Sequence, residues 1–125
     1  MILLLDTHVL LWWLATPEEL VEGARKAIES PTNDVVVSAA SIWEMAIKQS
    51  LGKLSLPGDP VEAITALGFH LLPITAAHGW RAGRLPPLHR DPFDRLLVAQ
   101  ADSESLVLVT RDRDIPRYGI PVLPG

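Results

Sequence analysis

The sequence predicts an α/β domain in which a central parallel sheet of four to five strands is covered by helices on both faces, a three-layer α/β/α arrangement. Three observations carry that prediction. Short runs at residues 2–5, 35–37 and 106–109 are apolar at every position rather than at alternate ones, as strands buried on both faces require. The stretches between them have the length and composition of helices that cross from one strand to the next. Single carboxylates or hydroxyls, Asp6, Ser38 and Thr110, stand directly after these runs, and strand ends are where open α/β sheets bind ligands.

Taken in order, the run ending at Leu5 is the first strand, and Asp6 stands where it can cap the next helix. Residues 8–14 are too apolar for a surface helix. Thr16-Pro17-Glu18-Glu19 then reads as an N-cap, a proline at the first helical position and acids in the first turn of a second helix, running to about Glu29. Leu20, Ala24, Ala27 and Ile28 would form its buried stripe, with Glu18, Glu22, Arg25 and Glu29 in water. Residues 30–34 are a turn cluster and 35–37 a second strand. Ser38 precedes a helix that carries Trp43, Glu44, Met45, Ile47 and Lys48 and closes at Gly52.

A loop at 54–58 leads to Pro60, which opens a short helix to about Leu67. Residues 68–74 give a third strand, and Thr75 caps a helix containing His78, Trp80 and Arg81. A proline-rich loop over 84–90 follows. Asp91 is an N-cap with Pro92 at the first helical position, and that helix continues through Ala101. Residues 106–109 form the fourth strand, and 120–123 can add a short edge strand, where proline is tolerated.

At 125 residues the chain is expected to be one domain spanning 1–125, with no repeat and no interdomain linker. It has no cysteine, which excludes a zinc-thiolate site, a thiol nucleophile and a disulfide framework. No secretory leader or membrane-length apolar stretch is read in it, so the expected location is cytoplasmic. A net charge of −4 argues at first against a nucleic-acid partner, but the charge is unevenly placed. Residues 1–44 hold seven acids and only Arg25 and Lys26, whereas residues 81–117 hold seven arginines against six acids. If some of those acids bind a cation, the surface around them becomes net basic.

Four acids occupy equivalent places: Asp6 after the first strand, Glu44 in the helix after the second, Asp94 in the first turn of a late helix, and Asp112 after the fourth strand. Each has a structural reading of its own. Asp6 can be a helix cap, Ser41-Ile-Trp-Glu44 a capping box, Asp94 a helix-dipole partner and Asp112 a turn closer. In a parallel sheet with right-handed crossovers, however, all four converge on one crevice. Carboxylates brought together repel and raise one another's pKa unless a cation neutralises them. With oxygen donors alone, the suitable ions are Mg²⁺ or Mn²⁺. Such an ion suits phosphodiester hydrolysis, since it polarises a phosphoryl oxygen, activates water and steadies the leaving oxygen.

The run Leu4-Leu5-Asp6-Thr7-His8, the helix Ser41-Ile-Trp-Glu44-Met-Ala-Ile-Lys48, the block from His89 through Asp94 to Ala101, and Leu108-Val-Thr110-Arg-Asp112 together resemble the PIN-domain ribonucleases. Within these the chain is most similar to VapC-type toxins of prokaryotic toxin–antitoxin pairs. The resemblance spans nearly the whole chain, and His89-Arg-Asp-Pro-Phe-Asp94-Arg is its most specific part. It implies a PIN-like fold and an endonucleolytic cut of RNA that leaves a 5′-phosphate. It further implies a catalytic quartet of Asp6, Glu44, Asp94 and Asp112 around one or two Mg²⁺ or Mn²⁺ ions, with Asp6 and Asp94 as direct ligands and Thr110 orienting the site. The implied partners are an antitoxin and a second copy of the chain in a homodimer.

Asp91 fits better as a helix cap than as a ligand, and Asp114 serves either the site or the surface. His89, Arg90 and Arg95 are placed to meet substrate phosphates, although Arg95 can equally pair with Asp91 four residues before it. His8 and His78 read as packed or solvated histidines. Trp12, Trp13 and Trp43 read as core, except that two adjacent tryptophans on one helix cannot both face inward, so one would line a groove for the antitoxin's helix. Two other functions compete. A haloacid-dehalogenase-like phosphatase also places an Asp after an apolar first strand, but it needs a second acid two residues on, where this chain has His8. A catalytically inactive protein-binding module of the same fold is the other.

Overall fold

The all-apolar runs become neighbours. In the computed structural model, which describes residues 1–125, five strands form one sheet in the order β3-β2-β1-β4-β5. They are β1 Ile2–Leu5, β2 Asp34–Ser38, β3 His70–Leu72, β4 Val107–Thr110 and β5 Val122–Pro124. Every neighbouring pair is parallel. β1 sits at the centre, setting Leu3 beside Val35 on one side and Leu4 beside Leu108 on the other.

Side chains alternate across the sheet, and this divides the core in two. Leu3, Leu5, Val35, Val37 and Val109 face a cluster completed by Val9 and Leu10 of α1 (Thr7–Ala15), Ala24 and Ile28 of α2 (Glu22–Glu29), Met45 of α3 (Ala39–Ser50) and Ile64 of α4 (Pro60–Ala66). Leu4, Val36 and Leu108 face the opposite cluster, with Leu97, Val98 and Ala101 of α6 (Pro92–Glu104) and Ile115. α5 (Ala76–Arg84) packs along α6. The expected three layers are therefore present, with five strands.

Three expectations are corrected. The helix read as continuous from Thr16 to Glu29 is a 3-10 turn at Pro17–Glu19 followed by α2. Leu20 and Val21 between them are extended, which turns the Leu20 side chain into the core. The third strand is only three residues long, bounded by Gly68 at φ +79° and by Pro73, which has no N–H to pair. Trp43, read as core, is 61% exposed and lies edge-on to Phe93 at 5.2 Å. The inward stripe of α3 is Ala40, Ser41, Glu44 and Met45, which leaves the indole outside. An edge strand appears where one was expected, shifted to Val122–Pro124, with Pro121 just before it and Pro124 as its last residue.

The chain builds outward from β1 through β2 to β3, then crosses back to β4 and β5 on the other side of β1. The carboxyl ends of β1 and β4 are thus a topological switch point, where the connections diverge and leave a crevice. Asp6 and Thr110 stand on its two sides.

Candidate metal centre at the switch point

Asp6 is almost wholly buried and uses both carboxylate oxygens. Oδ1 accepts the His8 N–H at 3.0 Å, capping α1, and Oδ2 accepts the Thr110 hydroxyl at 2.6 Å. Capping and site geometry therefore coexist in one side chain. Thr110 Oγ1 in turn accepts the Asp112 N–H at 3.0 Å, so one hydroxyl joins the end of β1 to the turn after β4. Asp112 Oδ1 accepts the N–H groups of Asp114 and Ile115 at 2.7 and 3.3 Å. Its Oδ2 lies 2.8 Å from His89 Nε2, which is also 3.2 Å from Asp94 Oδ2.

Asp94 is held in the first turn of α6 because Asp91 caps that helix, accepting the N–H groups of Phe93 and Asp94. His89 Nδ1 accepts the Asp91 N–H at 3.1 Å. That bond places the ring proton on Nε2, between the two acids. Glu44 is buried on α3; Oε2 is 2.9 Å from Lys48 Nζ, while Oε1 is buried with no partner.

Electrostatics single out Asp94. Its burial, then the charges of Asp6 and Asp91, push its carboxyl up to about 7, against a smaller lowering by His89. Burial would also raise Asp112, but the His89 hydrogen bond and the two backbone N–H groups outweigh it and lower it. For His89, burial acts to lower the pKa and is overcome by the hydrogen bond to Asp112 and the charges of Asp94, Asp112 and Asp91, so the net direction is up. The Asp6 carboxylate, 3.8 Å from the ring Nδ1, likewise raises His8.

A divalent cation fits this chemistry. An unpartnered buried carboxylate oxygen costs about 1–3 kcal/mol or more, and Asp94 is held partly protonated at neutral pH by its burial and by its acidic neighbours. A hard cation relieves costs of this kind, and the donors are oxygens of the type Mg²⁺ and Mn²⁺ take. The ligating atoms that approach one another most closely, all within 4.8 Å, belong to His89, Asp112 and Asp114. Asp114 is exposed and lies 3.4 Å from Arg117. It is at the mouth of the crevice, beside Asp112.

The remaining sequence candidates fall elsewhere. Arg95 is turned away from the acids: its guanidinium donates to the carbonyls of Ala82, Leu85, Pro86 and His89 and to the Tyr118 hydroxyl. It does not pair with Asp91. Ser41 does not start a capping box, since Ser38 caps α3 and Ser41 Oγ accepts the Thr7 hydroxyl. Neither Trp12 nor Trp13 lines a groove; both are half-buried against the first core cluster. An apolar groove of about 430 Å³ does run beside them, lined by Leu11, Leu14, Leu54, Leu56, Pro57 and Pro60. His78 is packed, hydrogen-bonded to Thr75, Gln100 and Glu104. Sequence reasoning missed Lys48 as the partner of Glu44, although the i,i+4 spacing signals it.

The profile of the PIN domain matches residues 3–121. Over 121 residues the chain is 33% identical to Ribonuclease VapC22 of Mycobacterium tuberculosis, covering 94% of this chain and 92% of that protein. Among solved structures, it superposes on DNA-bound VapBC from Salmonella typhimurium with a TM-score of 0.71 at 17% identity, over 98% of this chain and 97% of that one. It superposes on VapBC2 from Rickettsia felis, bound to a promoter DNA fragment, with a TM-score of 0.68 at 15% identity, over 98% of each chain.

Proposed function

The chain belongs to the PIN domain family, and from that premise we propose that it is a divalent-metal-dependent endoribonuclease, the toxin of a toxin–antitoxin pair. The observation that carries the reading is the gathering of carboxylates at the switch point, where the charges of Asp6, Asp91 and Asp112 all act on Asp94 and His89 lies between Asp94 and Asp112. Asp6 and Asp94 would hold the ion directly, with Glu44 and Asp112 completing its surroundings. Bound there, Mg²⁺ or Mn²⁺ supplies the charge that polarises a phosphoryl oxygen and makes water nucleophilic at neutral pH.

The chain's own residues prepare that centre. Thr110 fixes the orientation of Asp6 through its hydroxyl, Asp91 fixes Asp94 through the helix cap, and His89 fixes Asp112 through Nε2–H. Preorganised ligands need no rearrangement when substrate arrives. The antitoxin reading is supported by the VapBC complexes the fold matches, and the groove between α1 and residues 54–63 offers a seat for an apolar partner helix. A homodimer in the cytoplasm completes the proposal. No helix of this chain is long and apolar enough to cross a membrane.

The test compares wild type, Asp6→Asn and Asp94→Asn on mixed cellular RNA, with EDTA and with Mg²⁺ or Mn²⁺ restored, after thermal melts establish that each variant is folded. Cleavage by wild type alone, lost in EDTA and recovered with metal, is the expected result. Equal cleavage by all three proteins removes the proposed centre. Growth arrest on expression, relieved by co-expressing a neighbouring small open reading frame, is the expected sign of the toxin role.

A further inference from the structure

Outside the acidic crevice, one surface combines features that the reading so far leaves unused. Trp80 on α5 is 71% exposed, more than any other large apolar side chain. The Arg84 guanidinium lies 5.6 Å from the centre of its ring and is in no ion pair. From Thr75 to Arg90 the sequence contains Arg81, Arg84 and Arg90 and no carboxylate, in a chain of net charge −4. Two α6 carboxylates face this strip and both are engaged, Asp102 with Arg81 at 2.9 Å and Glu104 with His78 Nε2 at 2.8 Å. Trp80, Arg81, Arg84, Leu85, Pro86 and Asp102 line a shallow recess of about 330 Å³.

The loop that follows the strip leads to the crevice. Arg95 binds the carbonyls at the end of α5 and along the following loop, ending at His89, and His89 touches Asp94 and Asp112. A strand lying along this strip would therefore reach the acids. An exposed indole beside an unpaired guanidinium suits an unpaired base and its phosphate, because every base has a π-face and arginine pairs well with phosphate. A protein partner would want a broader apolar surround, and beside Trp80 the recess has only Leu85 and Pro86.

We propose that Trp80 and Arg84 form a stacking subsite for an unpaired nucleotide of a single-stranded RNA substrate, remote from the bond being cut. The inference rests on the ribonuclease reading and adds a binding subsite to it.

The experiment compares wild type, Trp80→Ala, Trp80→Phe and Arg84→Gln. It measures cleavage kinetics on a single-stranded oligoribonucleotide of mixed sequence, and affinity for the same labelled strand in EDTA. Loss of one stacked base is expected to raise KM and Kd about tenfold in Trp80→Ala with kcat unchanged, while Trp80→Phe retains most of the affinity. Arg84→Gln should weaken binding and flatten its salt dependence by about one phosphate contact. Since Trp80 is exposed, its replacement leaves the fold intact, which a thermal melt checks. Unchanged KM and Kd in Trp80→Ala overturn the subsite, and so does a changed oligomeric state with unaltered RNA affinity, which would mark a protein interface instead. If wild type neither binds nor cleaves RNA, the ribonuclease reading falls with it, whereas cleavage with unchanged KM in the variant removes the subsite alone.

Discussion

Asp94 is the carboxyl whose charge the fold resists. With a folded-state pKa of about 7 and an unfolded value near 4, the native chain binds a proton that the unfolded chain has released between those values. Stability therefore falls as pH rises through that window and stays low above it. Asp94→Asn removes the charge at nearly constant shape. In EDTA at pH 8 it should stabilise the fold by about 1–2 kcal/mol after allowing for residual solvation, seen as a raised thermal midpoint, and at pH 5 it should change stability little. The same variant should not cleave RNA, which places it among substitutions that stabilise a fold while removing its activity. Thr110 makes a second residue-scale case. Thr110→Val leaves Asp6 Oδ2 and the Asp112 N–H without their shared hydroxyl and should cost about 1–3 kcal/mol in urea unfolding, whereas Thr110→Ser should cost much less.

At the scale of elements, the start of α6 and the loop before it show what a sequence reveals and what it hides. The Asp91 cap and Pro92 at the first helical position are local signals, and the structure has both. Arg95 is different. Its acceptors are backbone carbonyls from 6 to 13 residues earlier and a tyrosine hydroxyl 23 residues later, and a carbonyl carries no side-chain signature. The sequence shows an arginine beside an acid and suggests a phosphate or an ion pair; only the path of the loop shows that both terminal nitrogens of the fork are taken up by other acceptors. Both Arg95→Ala and Arg95→Lys should destabilise the fold by about 1–3 kcal/mol, read as a lower urea midpoint, because one ammonium cannot span acceptors on two segments. Both should also slow RNA cleavage as His89 loses its fixed approach to Asp112.

Across the whole molecule, the parallel sheet was legible because uninterrupted aliphatic runs admit few other fates, and the places of Asp6, Thr110 and Asp112 follow once the strands are parallel. Trp43 was not, because an apolar residue signals burial only when its helix has no polar claimant for the inward stripe. On α3 Ser41 and Glu44 take that stripe. Nor did the sequence show the imidazole of His89 between two acids, since the loop that delivers it has no periodicity. One consequence concerns the chain as a unit. Mn²⁺ at about a hundred times its dissociation constant should stabilise the native state by about 2.7 kcal/mol at pH 8. At pH 5 the same concentration should stabilise it far less, as protons hold Asp94. Thermal melts with and without metal at the two pH values check this, and equal shifts at both would remove Asp94 from the metal's surroundings.

The hydroxyl of Thr110 meets the carboxylate of Asp6 across 104 residues, and β1 lies between β2, which follows it closely in the chain, and β4, which is made much later. During synthesis Asp6 leaves the ribosome long before Asp112. A nascent chain that has already paired β1 with β2 still has one wall of its crevice missing until β4 and the turn after it emerge. Any product whose translation stops before β4 is therefore born without the crevice, however well its first half has folded.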